Sequence, residues 1–247
     1  DEDNPLFEMD VDTDWSDGDG LIIEDDGSAV DRFKGADQSL ARISTIIGID
    51  TSMSMSRGWH NVRAQLPDLA DTMLTADSSK LFIVGSDHPR NEVVLNLPPN
   101  LTARKEFAHY NQWIDSCNML DRLLEFMEAG GTGGLQLDKD DSLHIIAVSD
   151  DNAGLHCVGS NNRDGRVDAA GFRTRVAGNS RFPERIRFHS IVTLTQADKN
   201  CAGGDYKSIG SQYIALSDDP DLGGTKQSIC GDTFATQFEN IKRDILE

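Results

Sequence analysis

Three oxygen-bearing side chains stand at alternate positions directly after an apolar run. Asp50, Ser52 and Ser54 follow the run at 43–49. In extended chain, residues two apart project to the same side, so these side chains can converge beyond the end of a strand. One carboxylate and two hydroxyls are hard ligands that suit Mg²⁺, Ca²⁺ or Mn²⁺ and suit zinc poorly. The spacing therefore predicts a site for one divalent cation.

A second apolar run also ends in carboxylates, further along the chain. The run at 142–149 is followed by Asp150 and Asp151. Open α/β sheets bind their ligands beyond the carboxyl ends of neighbouring strands. We therefore expect Asp150 to join Asp50, with Asp151 directed elsewhere.

The elements that would position these side chains alternate between strand and helix. Apolar residues at helical spacing predict helices over 57–76, 116–127, 205–216 and 232–245. Further apolar runs predict strands at 80–85 and 185–192, and 223–230 is predicted as a short edge strand. The alternation predicts an α/β fold with a doubly wound, mostly parallel central sheet flanked by helices, as in Rossmann-like proteins.

The segment after the strand at 80–85 is predicted to form an irregular edge of the sheet. Residues 91–97 follow after a short link, which favours an antiparallel hairpin. A short helix is predicted over 101–110.

Composition and charge limit the classes of partner. Net charge is −19, from 42 acidic and 23 basic residues, which disfavours nucleic acid because its phosphates are repelled. No apolar run is long enough to predict a membrane span. Residues 1–40 are acidic and irregular and are predicted to be an extension or linker, with a weak calcium site as the alternative. Residues 41–247 are predicted to be one α/β domain.

The pattern Asp50-x-Ser52-x-Ser54 after an apolar strand resembles the metal-ion-dependent adhesion site of von Willebrand factor A domains. Asp150 after the second strand matches a further position of that site. The closing segment of bacterial secreted A domains is similar to a set of residues in the last third of this chain, so that the similarity covers about 41–247. The set consists of 188–192, Cys201, Tyr213, Gly223, Gly224, 228–230 and 232–235. Many members carry glycine where this chain has Met53. We expect Met53 to pack, and an apolar rim for a partner is the alternative.

The resemblance also implies a hydroxyl ligand from the loop that opens the helix before the Asp150 strand. Ser116 and Thr132 are the candidates. Thr132 lies only 18 positions before Asp150, too few for a loop, a helix and a strand, whereas Ser116 lies 34 positions before it. We therefore favour Ser116. The predicted metal ligands are Asp50, Ser52, Ser54, Ser116 and Asp150.

Four cysteines, at 117, 157, 201 and 230, favour two disulfides and an oxidising compartment over free cytosolic thiols. They permit three pairings. The resemblance to secreted A domains indicates Cys201–Cys230, and we choose Cys117–Cys157 as the second pair. An extracellular or cell-surface location is predicted, with the periplasm as the alternative.

The resemblance implies a protein-binding, adhesion-type module in which one divalent cation, Mg²⁺ before Ca²⁺ or Mn²⁺, bridges to a Glu or Asp carboxylate of a partner. A structural spacer or assembly subunit of a surface structure, with an idle metal site, is the alternative. A metal-dependent hydrolase is less favoured, because the Asp-x-Asp pair of phosphohydrolases fails at Ser52 and no phosphate loop or nucleophile elbow is present. His144 and His189 lie on apolar strands and are expected to be core or edge residues rather than bases.

Overall fold

The computed structural model describes residues 22–23, 29–30, 42–74, 79–87, 94–115, 117–133, 135–154, 166–201, 208–231 and 233–246. The chain divides into two units, 1–40 and 41–247. Of the first unit, the described residues are the antiparallel pair β1 (Ile22–Ile23) and β2 (Ala29–Val30). The rest of the acidic segment lies outside the described residues, and its role as an extension or linker stays a prediction.

Six strands of the second unit form one parallel sheet. They are β3 (Ile43–Ile49), β4 (Lys80–Gly85), β5 (Phe107–Asn111), β8 (Ser142–Ser149), β9 (Arg185–Val192) and β10 (Gly223–Ser228). Two further short strands, β6 (Gly131–Thr132) and β7 (Leu135–Gln136), form a separate antiparallel pair. The order across the sheet is β10-β9-β8-β3-β4-β5, and every pairing is parallel. Strand order therefore reverses between β3 and β8.

Helices cover both faces of this sheet. They are α1 (Ser56–Met73), α2 (Pro99–Thr102), α3 (Met119–Glu128), α4 (Ala169–Ala177), α5 (Ser211–Ser217) and α6 (Ala235–Leu246). One apolar cluster joins α3, α4 and α5 to the sheet, and a second cluster joins α1, α2 and α6 to it. The predicted α/β fold with a doubly wound sheet is confirmed.

The central strand β3 is buried on both faces. Ile46 belongs to the apolar cluster on the α3 side and Ile47 to the cluster on the α1 side. This explains why apolar side chains stand side by side at Ile46 and Ile47 rather than at alternate positions. Gly48 allows α3 to approach closely, because a Cβ there would lie 3.1 Å from Leu123 Cδ2.

The edge of the sheet beyond β4 differs from the prediction. β5 pairs in parallel with β4, so the predicted helix over 101–110 is wrong except for the single turn α2. The described residues 94–97 form no strand, and 91–93 lie outside the described part, so the antiparallel hairpin is not found. Leu95 packs instead against Gly85, where a Cβ would lie 2.8 Å from Leu95 Cδ1. The apolar residues of 91–97 predict a short strand, whereas Leu95 is apolar because it packs against the sheet from a loop.

A buried carboxylate joins three neighbouring strands at their amino-terminal ends. Asp141 lies directly before β8 and accepts hydrogen bonds from Ser44 Oγ of β3 at 2.6 Å and Lys80 Nζ of β4 at 3.0 Å. Arg42 Nε lies 3.3 Å from its other oxygen. The Asp141 side chain is fully buried, and its Oδ2 accepts two side-chain hydrogen bonds, whereas Oδ1 accepts none and is compensated only by the nearby charge of Arg42.

Cys201 and Cys230 form a disulfide, as predicted. It joins the 3₁₀ turn Asp198–Asn200, which follows β9, to the segment that follows β10. Cys157 lies outside the described residues, so its pairing with Cys117 stays a prediction. None of the helices described here is long and apolar enough to cross a membrane.

Replacing both cysteines, as Cys201→Ala with Cys230→Ala, is expected to lower the free energy of unfolding by about 3 to 4 kcal/mol. The bond closes a loop of 29 residues, and its loss frees the unfolded chain. Urea unfolding followed by circular dichroism measures the change. A Cys201→Ser, Cys230→Ser pair should lose a similar amount, and an unchanged urea midpoint in both pairs would contradict the prediction.

Candidate metal centre

The predicted ligands lie at the carboxyl ends of the central strands, where the strand order reverses. Asp50 directly follows β3 and Asp150 directly follows β8. The two strands are in register, with Ile49 opposite Val148, and the Asp50 N–H donates to the Val148 carbonyl at 3.0 Å. Adjacent parallel strands thus deliver two carboxylates to the crevice that α/β sheets use for ligands.

A chain of hydrogen bonds connects four of the five predicted ligands. The Ser52 N–H donates to Asp50 Oδ1 at 2.9 Å, and the Ser52 and Ser54 hydroxyl oxygens are 3.1 Å apart. Ser54 Oγ donates to Asp150 Oδ1 at 3.1 Å. The structure therefore brings Asp50, Ser52, Ser54 and Asp150 together.

The loop reaches this arrangement by a turn rather than by extended chain. Residues Met53–Met55 form a 3₁₀ turn that leads into α1. Met55 is fully buried in the apolar cluster beneath α1 and anchors the turn. Met53 is 62% exposed, so the expectation that it packs is wrong.

Ser116, the fifth predicted ligand, lies outside the described residues and stays a prediction. The segment just before it approaches the site, because the Ile114 carbonyl accepts the Thr51 N–H at 3.0 Å and the Thr51 hydroxyl at 2.8 Å. The alternative, Thr132, lies in the β6–β7 pair. There the neighbouring Gln136 carbonyl accepts Lys80 Nζ at 2.7 Å, at the opposite edge of the sheet.

Two residues that are not among the predicted ligands interact with Asp50. Ser149 Oγ donates to Asp50 Oδ2 at 2.8 Å, so both oxygens of Asp50 accept hydrogen bonds. Burial raises the pKa of the Tyr213 hydroxyl well above its usual value, and the charge of Asp50 adds to this effect. The register that places Ser149 beside Asp50 could have been read from the parallel pairing of the two apolar runs. The resemblance to secreted A domains includes Tyr213 but does not predict its place near Asp50, because α5 brings it there from far along the chain.

Asp151 is turned to a different set of partners. Its carboxylate accepts the Asn152 N–H at 2.7 Å and the Ser208 hydroxyl. Asn152 in turn donates to Ser211 Oγ at 2.8 Å and accepts the Gln212 N–H at 2.9 Å. These bonds fix the segment that follows β8 against the start of α5.

The electrostatics of the two ligand carboxylates are unfavourable without a counter-charge. Burial raises the pKa of Asp50, although hydrogen bonds from Ser52 and Ser149 oppose the shift. Burial and the nearby charge of Asp50 raise the pKa of Asp150. Asp150 Oδ2 is buried and has no hydrogen-bond partner. A cation held by these oxygens would satisfy that atom and offset the repulsion, so the residues fit a bound divalent cation.

The donor set is poor in charged groups. Within the described part of the chain, no group of three or more His, Cys, Asp or Glu side chains is placed to hold a metal ion. The candidate site has two carboxylates, and its other oxygens are hydroxyls.

No model of a known protein family matches this chain, and no curated protein matches it.

Two histidines of the sheet lie away from this site and are hydrogen-bonded to one another. His144 Nδ1 and His189 Nε2 are 3.1 Å apart, and the Thr225 N–H donates to His189 Nδ1 at 3.0 Å. That pattern assigns the His189 proton to Nε2, which donates to His144. Burial lowers the pKa of His144 to about 3 and also lowers that of His189, against the charge of Asp244. Both are buried core residues, as expected.

This pair is expected to destabilise the protein as the pH falls. Because the folded-state pKa of His144 lies below the unfolded value, the unfolded chain binds more protons below about pH 6.5. Its contribution to the free energy of unfolding is complete above that pH and decreases by about 2 to 3 kcal/mol on going to pH 4.5. Urea unfolding of the wild type and of His144→Asn at pH 7 and at pH 4.5 measures this decrease.

The variant provides the control, because protonation of Asp50 and Asp150 contributes with the opposite sign in both proteins. The wild type should lose more stability than His144→Asn between pH 7 and 4.5. Equal losses in the two proteins would show that His144 is not the group that titrates.

Proposed function

We propose that this chain carries a von Willebrand factor A-type module that binds one divalent cation at the carboxyl edge of its sheet and uses it to bind a partner protein. The observation that carries the proposal is the unpaired, buried Oδ2 of Asp150, which lies in a hydrogen-bonded group with Ser54, Ser52 and Asp50. A buried carboxylate oxygen without a partner is costly, and a cation removes that cost.

Asp50, Ser52, Ser54 and Asp150, with Ser116 as the predicted fifth residue, would hold the cation. Two carboxylates among hydroxyl ligands suit Mg²⁺ first and Ca²⁺ or Mn²⁺ next. When bound, the cation supplies a positive charge that is not fully neutralised and can accept a carboxylate oxygen of a partner. The chain's own residues hold this position rigid, since both oxygens of Asp50 and one of Asp150 are hydrogen-bonded.

We propose a binding role rather than catalysis. The described groups at the site are carboxylates and hydroxyls that bond to one another, and the two buried histidines lie elsewhere on the sheet. The Cys201–Cys230 disulfide supports an oxidising compartment, at the cell surface, outside the cell or in the periplasm. A spacer or assembly subunit with an idle cation is the competing role for the same fold.

Calorimetric titration of chelator-stripped protein with Mg²⁺, Ca²⁺ and Mn²⁺ tests the first step. We expect one site per chain, together with a rise in the thermal unfolding temperature, because a ligand that binds only the folded state stabilises it. Absence of both binding heat and stabilisation for all three cations would contradict the proposal. K⁺ at matched ionic strength is the control for general screening of charge.

A further inference from the structure

Large apolar side chains are exposed at three places in the described part of the chain, and two of the three lie in loops at the carboxyl ends of the central strands, as the candidate metal centre does. Met53 is 62% exposed and Trp113 50% exposed, while the third, Leu246, lies at the end of α6. Single exposed apolar residues are ordinary on protein surfaces. Two in hydrogen-bonded loops at the end of the sheet that carries the candidate cation site are less ordinary, because Trp and Met are enriched where proteins bind one another.

The backbone holds both residues in place. Met53 stands between Ser52 and Ser54 in a turn that the buried Met55 anchors. Trp113 directly precedes Ile114, whose carbonyl accepts two hydrogen bonds from Thr51.

These bonds also limit the distance between the Cα atoms of Met53 and Trp113. Met53 is two residues from Thr51, and Trp113 is one residue from Ile114. Their Cα atoms are therefore separated by roughly 18 Å at most. A single short segment of a partner can reach across that distance, because extended chain advances about 3.3 Å per residue.

Charge narrows the kind of segment that fits. The chain has net charge −19, and 14 of its 42 acidic residues lie in 1–40 against two of its 23 basic ones. A partner rich in acidic residues would be repelled on approach. The charge of the chain therefore favours a carboxylate carried by a protein of net positive charge, with further affinity from neighbouring apolar contacts.

We propose that Met53 and Trp113 form an apolar rim that binds the residues flanking the partner's carboxylate. The ligand is then a segment in which one Asp or Glu stands beside large apolar side chains, on a protein of net positive charge. This inference rests on the proposed function, since the rim positions a carboxylate that the cation holds.

Peptides of defined sequence test the rim. The probes are Ac-Lys-Phe-Asp-Phe-Lys-NH2, the same peptide with Gly in place of Phe, and the Phe peptide with Asn in place of Asp. Each is titrated into Mg²⁺-saturated, ¹⁵N-labelled protein and followed by nuclear magnetic resonance, including the Trp113 indole N–H. We expect the Phe peptide to bind at least about tenfold more tightly than the Gly peptide, and chelation of Mg²⁺ to abolish binding.

Variants separate the rim from the metal centre. Met53→Ser with Trp113→Ser should remove the preference for the Phe peptide and leave Mg²⁺ affinity unchanged. Leu246→Ser, which removes the exposed apolar residue on α6, should retain the preference. Equal binding of the Phe and Gly peptides by wild type, no binding of either, or a preference that survives in the double variant would overturn the rim while Mg²⁺ binding stands. Failure to bind Mg²⁺ would instead overturn the proposed function, and the rim with it.

Discussion

Asp50→Asn is expected to lose at least about a hundredfold in Mg²⁺ affinity while remaining folded. The substitution removes one of the two carboxylate charges at the site. It keeps an oxygen that accepts the Ser52 N–H, and its amide can replace the bond with Ser149. Because burial already raises the pKa of Asp50, a neutral group in its place should leave the stability of the metal-free protein unchanged or higher.

Calorimetry measures the affinity, and urea unfolding of the metal-free protein measures the stability. Asp87→Asn is the matched control. Asp87 is exposed beyond the end of β4, at the same edge of the sheet, and removing its charge should change Mg²⁺ affinity less than about threefold. Unchanged Mg²⁺ binding in Asp50→Asn would place the cation elsewhere, with the acidic residues of 1–40 as the next candidates.

Asp141→Asn is expected to lower the free energy of unfolding by about 3 to 5 kcal/mol. Lys80 Nζ and Arg42 Nε would lose their shared carboxylate at the amino-terminal edge, and Ser44 would keep only a neutral acceptor. Removing the charge of a buried carboxylate is costly because its charged partners were held against it, and Arg42 and Lys80 then keep only Asp138 and the Gln136 carbonyl among the described residues. Mg²⁺ affinity should change little, since Asp141 lies at the edge opposite to the candidate site.

Urea unfolding and Mg²⁺ calorimetry on the same sample check both parts of this expectation. Ser44→Ala removes one hydrogen bond to Asp141 and should cost only about 1 to 2 kcal/mol. A loss in Asp141→Asn no larger than in Ser44→Ala would mean that the charged partners contribute little. A large loss of Mg²⁺ affinity in Asp141→Asn would mean that the two edges are coupled.

The centre of the fold could be predicted from the sequence because its strands are buried on both faces. The apolar runs of β3, β4, β8 and β9 leave no other interpretation consistent with helices between them. The edge strand β5 could not be predicted, because Phe107 is followed by Ala, His and Tyr without a strong period of two. Its pairing with β4 decides its conformation, and that pairing depends on contacts distant in sequence.

The candidate site was predictable only where local order carries it. Asp50, Ser52, Ser54 and Asp150 stand at the ends of recognisable strands, and the structure brings them together. The proximity of Tyr213 to Asp50 was not predictable, since Tyr213 lies on a helix more than sixty residues beyond Asp150.

The exposure of Met53 was also beyond the reach of the sequence. A methionine in a short loop can pack or project, and only the turn that buries Met55 directs Met53 to solvent.

The separation of the Asp141 network from the Asp50 loop has a consequence for protein engineering. The buried Asp141 network lies where the strands begin, and the exposed Met53 and Trp113 lie in loops where the strands end. Positions 53 and 113 can therefore be randomised in a library while the network around Asp141 maintains the fold. Such a chain is a display scaffold, in which selection for new partners proceeds without a parallel selection for stability.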